Sequence, residues 1–265
     1  MDGRPIGVFD SGLGGLTTVK RLAELLPGED IVYLGDTGRV PYGPRSRDTI
    51  IRYARQDAAF LAGFDIKAMV IACNTVCSVA YDVLDSIYDI PVYEVVSVPA
   101  KAAVSQTKNG KIGVIGTAAT IRSCAYETEL KKTAPDLFVY SIPCPLFVPL
   151  AENGRTDPND IAALTIAADY FTGLLRSGVD TLIMGCTHYP LLRNVISRVL
   201  GPSVTLIDSG AETAKLVAGD LRERDMLSSK ITDGEIGTLL QTALKGFRNS
   251  RPVSWRRTYM VRSNK

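Results

Sequence analysis

Cys73 and Cys186 each end a short apolar run and precede hydroxyl or amide side chains, in Ala72-Cys73-Asn74-Thr75 and Gly185-Cys186-Thr187-His188. In open α/β sheets, ligands bind at the carboxyl ends of the strands. Two thiols facing each other across a cleft suit one task. One takes a proton from a carbon, and the other returns a proton to the opposite face. An ordinary thiol has a pKa of about 8.5, so little is thiolate at neutral pH. A helix N-terminus or a neighbouring base increases that fraction, and a helix is expected to start just after each cysteine. Asp10, at the end of the first apolar run, and His188, the single histidine, are the polar groups placed to set acid against base. The competing reading makes both cysteines small buried hydrophobes, the usual fate of a free thiol. That reading is preferred for Cys124 and Cys144, and Cys77 reads as packing one turn beyond Cys73.

Other motifs exclude more than they offer. Five cysteines and one histidine give only two local pairs, Cys73 with Cys77 and Cys186 with His188, which is weak support for zinc. Three Asp-Ser/Thr-Gly triplets start at Asp10, Asp36 and Asp208. Paired triplets of this type mark aspartic proteases, but those are all-β, so here they read as turns at strand ends. Gly12-Leu13-Gly14-Gly15-Leu16-Thr17 falls short of a dinucleotide fingerprint, and no P-loop Lys-Ser/Thr follows. A glycine-rich turn ahead of a helix can still offer backbone N–H groups to a carboxylate.

The elements that position these residues alternate. Near-continuous apolar runs at Ile6–Phe9, Ile31–Leu34, Ala68–Ala72, Val92–Val96, Ile112–Ile115, Phe138–Ile142, Thr181–Met184 and Val204–Ile207 have the length and patterning of buried parallel strands. Helix-period segments lie between them. The clearest places Ile161, Leu164, Ala168, Phe171 and Leu175 on one face, with Asp157-Pro158 as its expected start. This alternation predicts α/β architecture with parallel sheet. The pattern also repeats. Ile6-Gly7-Val8 returns as Ile112-Gly113-Val114, Ile31-Val32-Tyr33 as Phe138-Val139-Tyr140, and Val70–Thr75 as Ile183–His188. Two related halves are expected, residues 1–97 and 98–207, with 208–265 packing back on the first.

The 265 residues are 46% hydrophobic and 22% charged, which describes an ordinary globular chain rather than a disordered one. No run approaches the roughly 20 apolar residues of a spanning helix, and no signal-peptide pattern opens the chain. A cytoplasmic protein is expected. Seven of the 30 basic residues and none of the 28 acidic ones lie in 245–265, so residues 1–244 carry a net charge of −5. The basic tail reads as a solvated end, and no nucleic-acid or membrane partner is expected.

Val8–Thr17, Gly35-Asp36-Thr37 with Pro41-Tyr42-Gly43, Ala72–Thr75, Gly185–Leu191 and Asp208-Ser209-Gly210 together resemble the glutamate racemases, in that family's order and over residues 6 to 225. The aspartate racemases share the two cysteines but fit these flanking segments less well. The resemblance implies two pseudo-symmetric parallel-sheet α/β domains with the active site in the cleft between them. It implies interconversion of L- and D-glutamate without cofactor or metal, supplying D-glutamate for peptidoglycan. Cys73 would take the proton of D-glutamate and Cys186 that of L-glutamate. Asp10 would assist Cys73, His188 would assist Cys186, and Glu152 would be a further acid. Asp10, Ser11, Tyr42, Gly43, Asn74, Thr75, Thr117, Thr187 and His188 would hold the substrate. A homodimer is expected by the same analogy. Two features depart from the family pattern. Val76-Cys77 stands where small residues are usual, and the segment beyond about 245 does not match the usual terminus. Three rival readings are a binding protein that lost catalysis, a dithiol or zinc protein, and a pyridoxal enzyme.

Overall fold

The computed structural model describes residues 1–230 and 234–240. The chain alternates β1 (Ile6–Asp10), α1 (Leu16–Leu25), β2 (Ile31–Gly35), α2 (Arg47–Ala62), β3 (Ala68–Ile71), α3 (Asn74–Asp85), β4 (Val92–Tyr93) and α4 (Ser97–Gln106). It continues through β5 (Lys111–Gly116), α5 (Ala118–Arg122), α6 (Ala125–Thr133), β6 (Phe138–Pro143), α7 (Phe147–Glu152), α8 (Ile161–Ser177) and β7 (Thr181–Gly185). A 3-10 turn at Tyr189–Leu192, α9 (Arg193–Leu200), β8 (Thr205–Asp208), α10 (Ser209–Glu223) and β9 (Ile236–Leu240) complete it. Every strand pair is parallel. The residues of β1, β3 and β7 are all buried, as strands covered by helices on both faces must be.

The duplication is visible in the topology. One sheet has the order β4-β3-β1-β2-β9 and the other β8-β7-β5-β6, so the first four strands of each half share one arrangement. Val8 pairs with Val70 as Val114 pairs with Ile183. The sequence match at the second strand is off by one residue. Ile6 faces Ile31, whereas Ile112 faces Val139 rather than Phe138. Because β6 is a half-buried edge strand, its apolar pattern fixes register weakly.

Three expectations are corrected. The fourth strand stops at Tyr93, because the Glu94 carboxylate accepts from the N–H groups of Val96 and Ser97 and turns the chain into α4. Helix α8 starts at Ile161 with Asp160 as its cap, accepting from the Ala163 N–H at 2.9 Å. Asp157 instead closes a turn on the Asn159 N–H. The buried face of α8 is Ala163, Ala167, Phe171 and Leu174, while Ile161 and Leu175 are exposed. After β8, α10 packs Ala214, Val217 and Leu221 into the core beneath β1 and α1, and β9 pairs with β2. The basic tail lies outside the described residues. One apolar cluster joins Phe9, Ile71 and Val76 to Val114, Tyr126 and Ile183, so the two halves share a core.

Candidate active site

Strand β3 delivers Cys73 to the N-cap position of α3, where helical N–H groups face the sulfur. The thiol is buried and donates to the Ser11 Oγ at 3.4 Å. Burial pushes it up to about 12, and the Asp10 carboxylate adds to the shift. The Ser11 hydroxyl and the N–H groups of Val76 and Ser11 oppose it. Cys186 follows β7 and is equally buried. Burial also pushes this thiol upward, against the His188 N–H, with Asp10, Cys73 and Glu152 adding to the rise. No α-helix begins directly after Cys186. Tyr189-Pro190-Leu191-Leu192 forms a 3-10 turn first, and α9 starts at Arg193. The group that opposes the rise here is the His188 backbone N–H.

The His188 ring links two groups. Its Nδ1 lies 3.9 Å from the Cys186 sulfur and its Nε2 lies 3.1 Å from Glu152 Oε1. A carboxylate only accepts, so Nε2 is the nitrogen that donates to Glu152, and Nδ1 is the one that faces the thiol. Glu152, at the end of α7, is half-exposed and reaches the site through His188. Asp10 is fully buried at the end of β1. Its Oδ2 accepts from the Gly12 N–H at 3.0 Å, and its Oδ1 accepts from the Thr187 hydroxyl at 3.3 Å, in the other half of the molecule.

The remaining predicted residues converge from the carboxyl ends of β2, β3, β5 and β7. The hydroxyls of Thr75 and Thr117 meet at 2.8 Å across the halves. A Cβ on Gly43 would lie 3.1 Å from Thr117 Cβ, which puts the Gly43 backbone against the same corner. Asn74 is engaged on both sides, its Nδ2 donating to Ser209 Oγ at 3.3 Å and its Oδ1 accepting from Tyr126 at 2.6 Å. Tyr42 differs from expectation. Its ring is buried and its hydroxyl sits between Asp36 and Asp57 Oδ2, so only its backbone is left to meet a ligand. The Asp36 triplet is therefore more than a turn. Its carboxylate is buried under Tyr42 and Arg39.

Several residues at this site carried no usable signal in the sequence. Thr120 completes a hydroxyl cluster with Thr75 and Thr117. Thr17 donates to the Thr187 carbonyl at 3.0 Å, and Tyr126 packs its ring where a Gly185 Cβ would stand. Ser209 and Thr17 lay inside motifs that could have pointed to them. Cys77 donates to the Ile71 carbonyl at 3.1 Å as a packed thiol. Among the described residues, no three His, Cys, Asp or Glu side chains converge to hold a metal ion. No described helix is long and apolar enough to cross a membrane.

Two parallel α/β halves each carry a thiol at the equivalent strand end. A sequence model described as Asp/Glu/Hydantoin racemase matches residues 6–217. The glutamate racemase of Geobacter metallireducens is 47% identical over 93% of this chain and 91% of its own. A crystal structure of a Bacillus anthracis glutamate racemase isoform superposes with a TM-score of 0.86 at 38% identity, covering 91% of this chain and 89% of that one. The Francisella tularensis glutamate racemase, solved with D-glutamate, gives 0.82 at 40% identity over 90% and 89%. The chain belongs to the Asp/Glu/Hydantoin racemase family, and the three relatives just named, matched over about nine-tenths of their length, are glutamate racemases.

Proposed function

We propose that the protein interconverts L- and D-glutamate by proton transfer at the α-carbon between Cys73 and Cys186. The carrying observation is the placement of the two buried thiols at equivalent strand ends, with Asp10 at one and His188 at the other. In one direction Cys73, having passed its proton to Asp10, takes the α-proton of D-glutamate. Cys186 then gives its own proton to the opposite face, which leaves Cys73 protonated and Cys186 as the thiolate that takes the α-proton of L-glutamate. The reverse direction exchanges the roles. Both thiols are hard to ionise when buried without a cation. An ammonium group entering between them supplies the positive charge that favours a thiolate. Ser11, Asn74, Thr75, Thr117 and Thr187 offer hydroxyl and amide groups to the two carboxylates, with the Tyr42 and Gly43 backbone beside them. Hydrogen bonds to the α-carboxylate stabilise the charge that develops there as the proton leaves.

The chemistry needs neither cofactor nor metal under this reading. We read residues 1–97 with 208–265 as one domain and 98–207 as the other. The working form is a cytoplasmic homodimer whose D-glutamate serves peptidoglycan.

The test uses purified protein with chelator and no added cofactor. L-Glutamate in D2O is followed by optical rotation and by the NMR signal of the α-proton. Loss of rotation with deuterium entering the α-carbon is expected, with aspartate inert. Cys73→Ser and Cys186→Ser should each remove nearly all racemisation while the fold is kept. Near-wild-type rates in both directions from either variant would end the two-base mechanism.

A further inference from the structure

Beneath the glycine loop that follows β1 lies a buried hydroxyl that touches no reacting group. Tyr33, in β2, is fully buried. Its hydroxyl donates to the Gly12 carbonyl at 2.6 Å, and the Gly15 N–H points at its oxygen. Gly12 is thus held through both of its peptide groups, its carbonyl by Tyr33 and its N–H by Asp10 Oδ2. The packing leaves no slack. A Cβ on Gly15 would stand 2.5 Å from Asp10 Cβ and 2.9 Å from the Tyr33 oxygen. The same loop supports both walls of the site. Ser11 accepts from the Cys73 thiol, and Gly14 lies so close to Thr187 and His188 that a Cβ would come within 2.3 and 2.6 Å of them.

We infer that Tyr33 is a positioning residue for racemisation, clamping the Gly12–Gly15 loop so that Asp10 and Ser11 stay on Cys73 while the Thr187–His188 turn stays on Cys186. The inference rests on the reading of Asp10 and Cys73 as an acid–base pair. Burial, with the Asp10 and Cys73 charges adding, holds the phenol well above its ordinary value, so the hydroxyl remains a donor and takes no part as a base. The second half has no counterpart. By strand register the position equivalent to Tyr33 is Ser141, and there Glu152 orients His188 instead.

Tyr33→Phe removes one oxygen and keeps the ring. One lost hydrogen bond to a loop that must hold catalytic groups corresponds to a fall in kcat of about tenfold. That fall is expected in both directions, with KM within about twofold of wild type and the circular-dichroism spectrum unchanged. Should the Phe variant fail to fold, two substitutions of similar size carry the test. Tyr33→4-methylphenylalanine has no donor and should be slow. Tyr33→4-aminophenylalanine keeps one and should recover most of the rate. A lowered melting temperature with kcat intact, or equal rates for the methyl and amino variants, overturns the inference. Asp10→Asn, measured alongside, separates the two levels. If Asp10→Asn is slow and Tyr33→Phe is not, only the clamp fails. If Asp10→Asn runs at the wild-type rate, the acid–base reading fails and the clamp with it.

Discussion

Cys73 is a weak acid in the closed cleft chiefly because burial strips the thiolate of water, with the Asp10 carboxylate adding to the effect. The linkage has a definite sign. The unfolded thiol ionises near 9 and the folded one at about 12, so the folded state holds its proton more tightly. This contribution to stability is complete below pH 9 and is lost as pH rises through that window. Urea unfolding between pH 8 and 10.5 should show wild type losing stability more steeply than Cys73→Ser. Parallel slopes would mean that the thiol is not desolvated. The same burial orders reactivity. Iodoacetamide at neutral pH should label the exposed Cys124 ahead of the four buried cysteines, which peptide mapping will read. Gly14 carries a separate prediction. A Cβ there meets Thr187 Oγ1 at 2.3 Å and His188 Nδ1 at 2.6 Å, and both side chains are pinned by Asp10 and Glu152. Gly14→Ala should cost at least about tenfold in kcat, since small displacements of catalytic groups cost that much or more. Unchanged kcat would show that the turn can give way.

Helix α2 bears on the site through the loop after β2. Asp57, on α2, and Asp36, at the end of β2, are both buried and share the Arg39 guanidinium and the Tyr42 hydroxyl. Burial, and then the neighbouring Asp36 charge, push Asp57 up to about 7. A carboxyl whose folded value exceeds its unfolded one stabilises the fold at low pH and loses that contribution as pH rises. Wild type minus Asp57→Asn stability should therefore fall between about pH 4 and 7 in urea unfolding; a flat difference would mean that burial and the Asp36 charge do not raise the Asp57 carboxyl. The central strands were legible in the sequence because a strand buried on both faces reads as an unbroken apolar run. Edge and junction features were not. β6 is half-buried, so its register slipped by one. β9 follows the helix-rich segment and, among the described residues, pairs only with β2. In α8 Phe171 packs inward as expected, but the small Ala163 and Ala167 pack beside it while Ile161 and Leu175 stand out, so hydrophobicity alone placed the face partly off its true position. At the site, residue types at strand ends pointed to the thiols, Asp10 and His188. Partners that meet only across the halves, such as Thr120 and Tyr126, leave no local spacing to read.

Function and stability occupy opposite ends of the whole molecule. The thiols lie beyond the carboxyl ends of the strands, where the halves meet through Thr75 and Thr117, Thr17 and Thr187, and Asp10 and Thr187. Both thiols are nearly closed off, and the apolar core shared by the halves lies behind them. At the amino ends of the strands sits a buried cation. Lys67, just ahead of β3, is fully buried and pairs with Glu29 Oε2 at 2.5 Å. Its Nζ also donates to the carbonyls of Asp2 at 2.8 Å and Met226 at 2.7 Å, and Glu29 Oε1 accepts from the Ser228 N–H. One ion pair thus ties the first residues of the chain to the segment that follows α10. Removing one member of a buried pair strands the other charge, at a cost of about 3–5 kcal/mol. Lys67→Met should lose that much in urea unfolding, and Lys67→Met with Glu29→Gln should recover part of it, since the two effects are coupled. Turnover below the unfolding transition should stay at the wild-type value, because the pair and the thiols are at opposite ends of the sheet. A fall in kcat matching the loss of stability would show that the clip at the amino ends also governs how the two walls of the cleft are set.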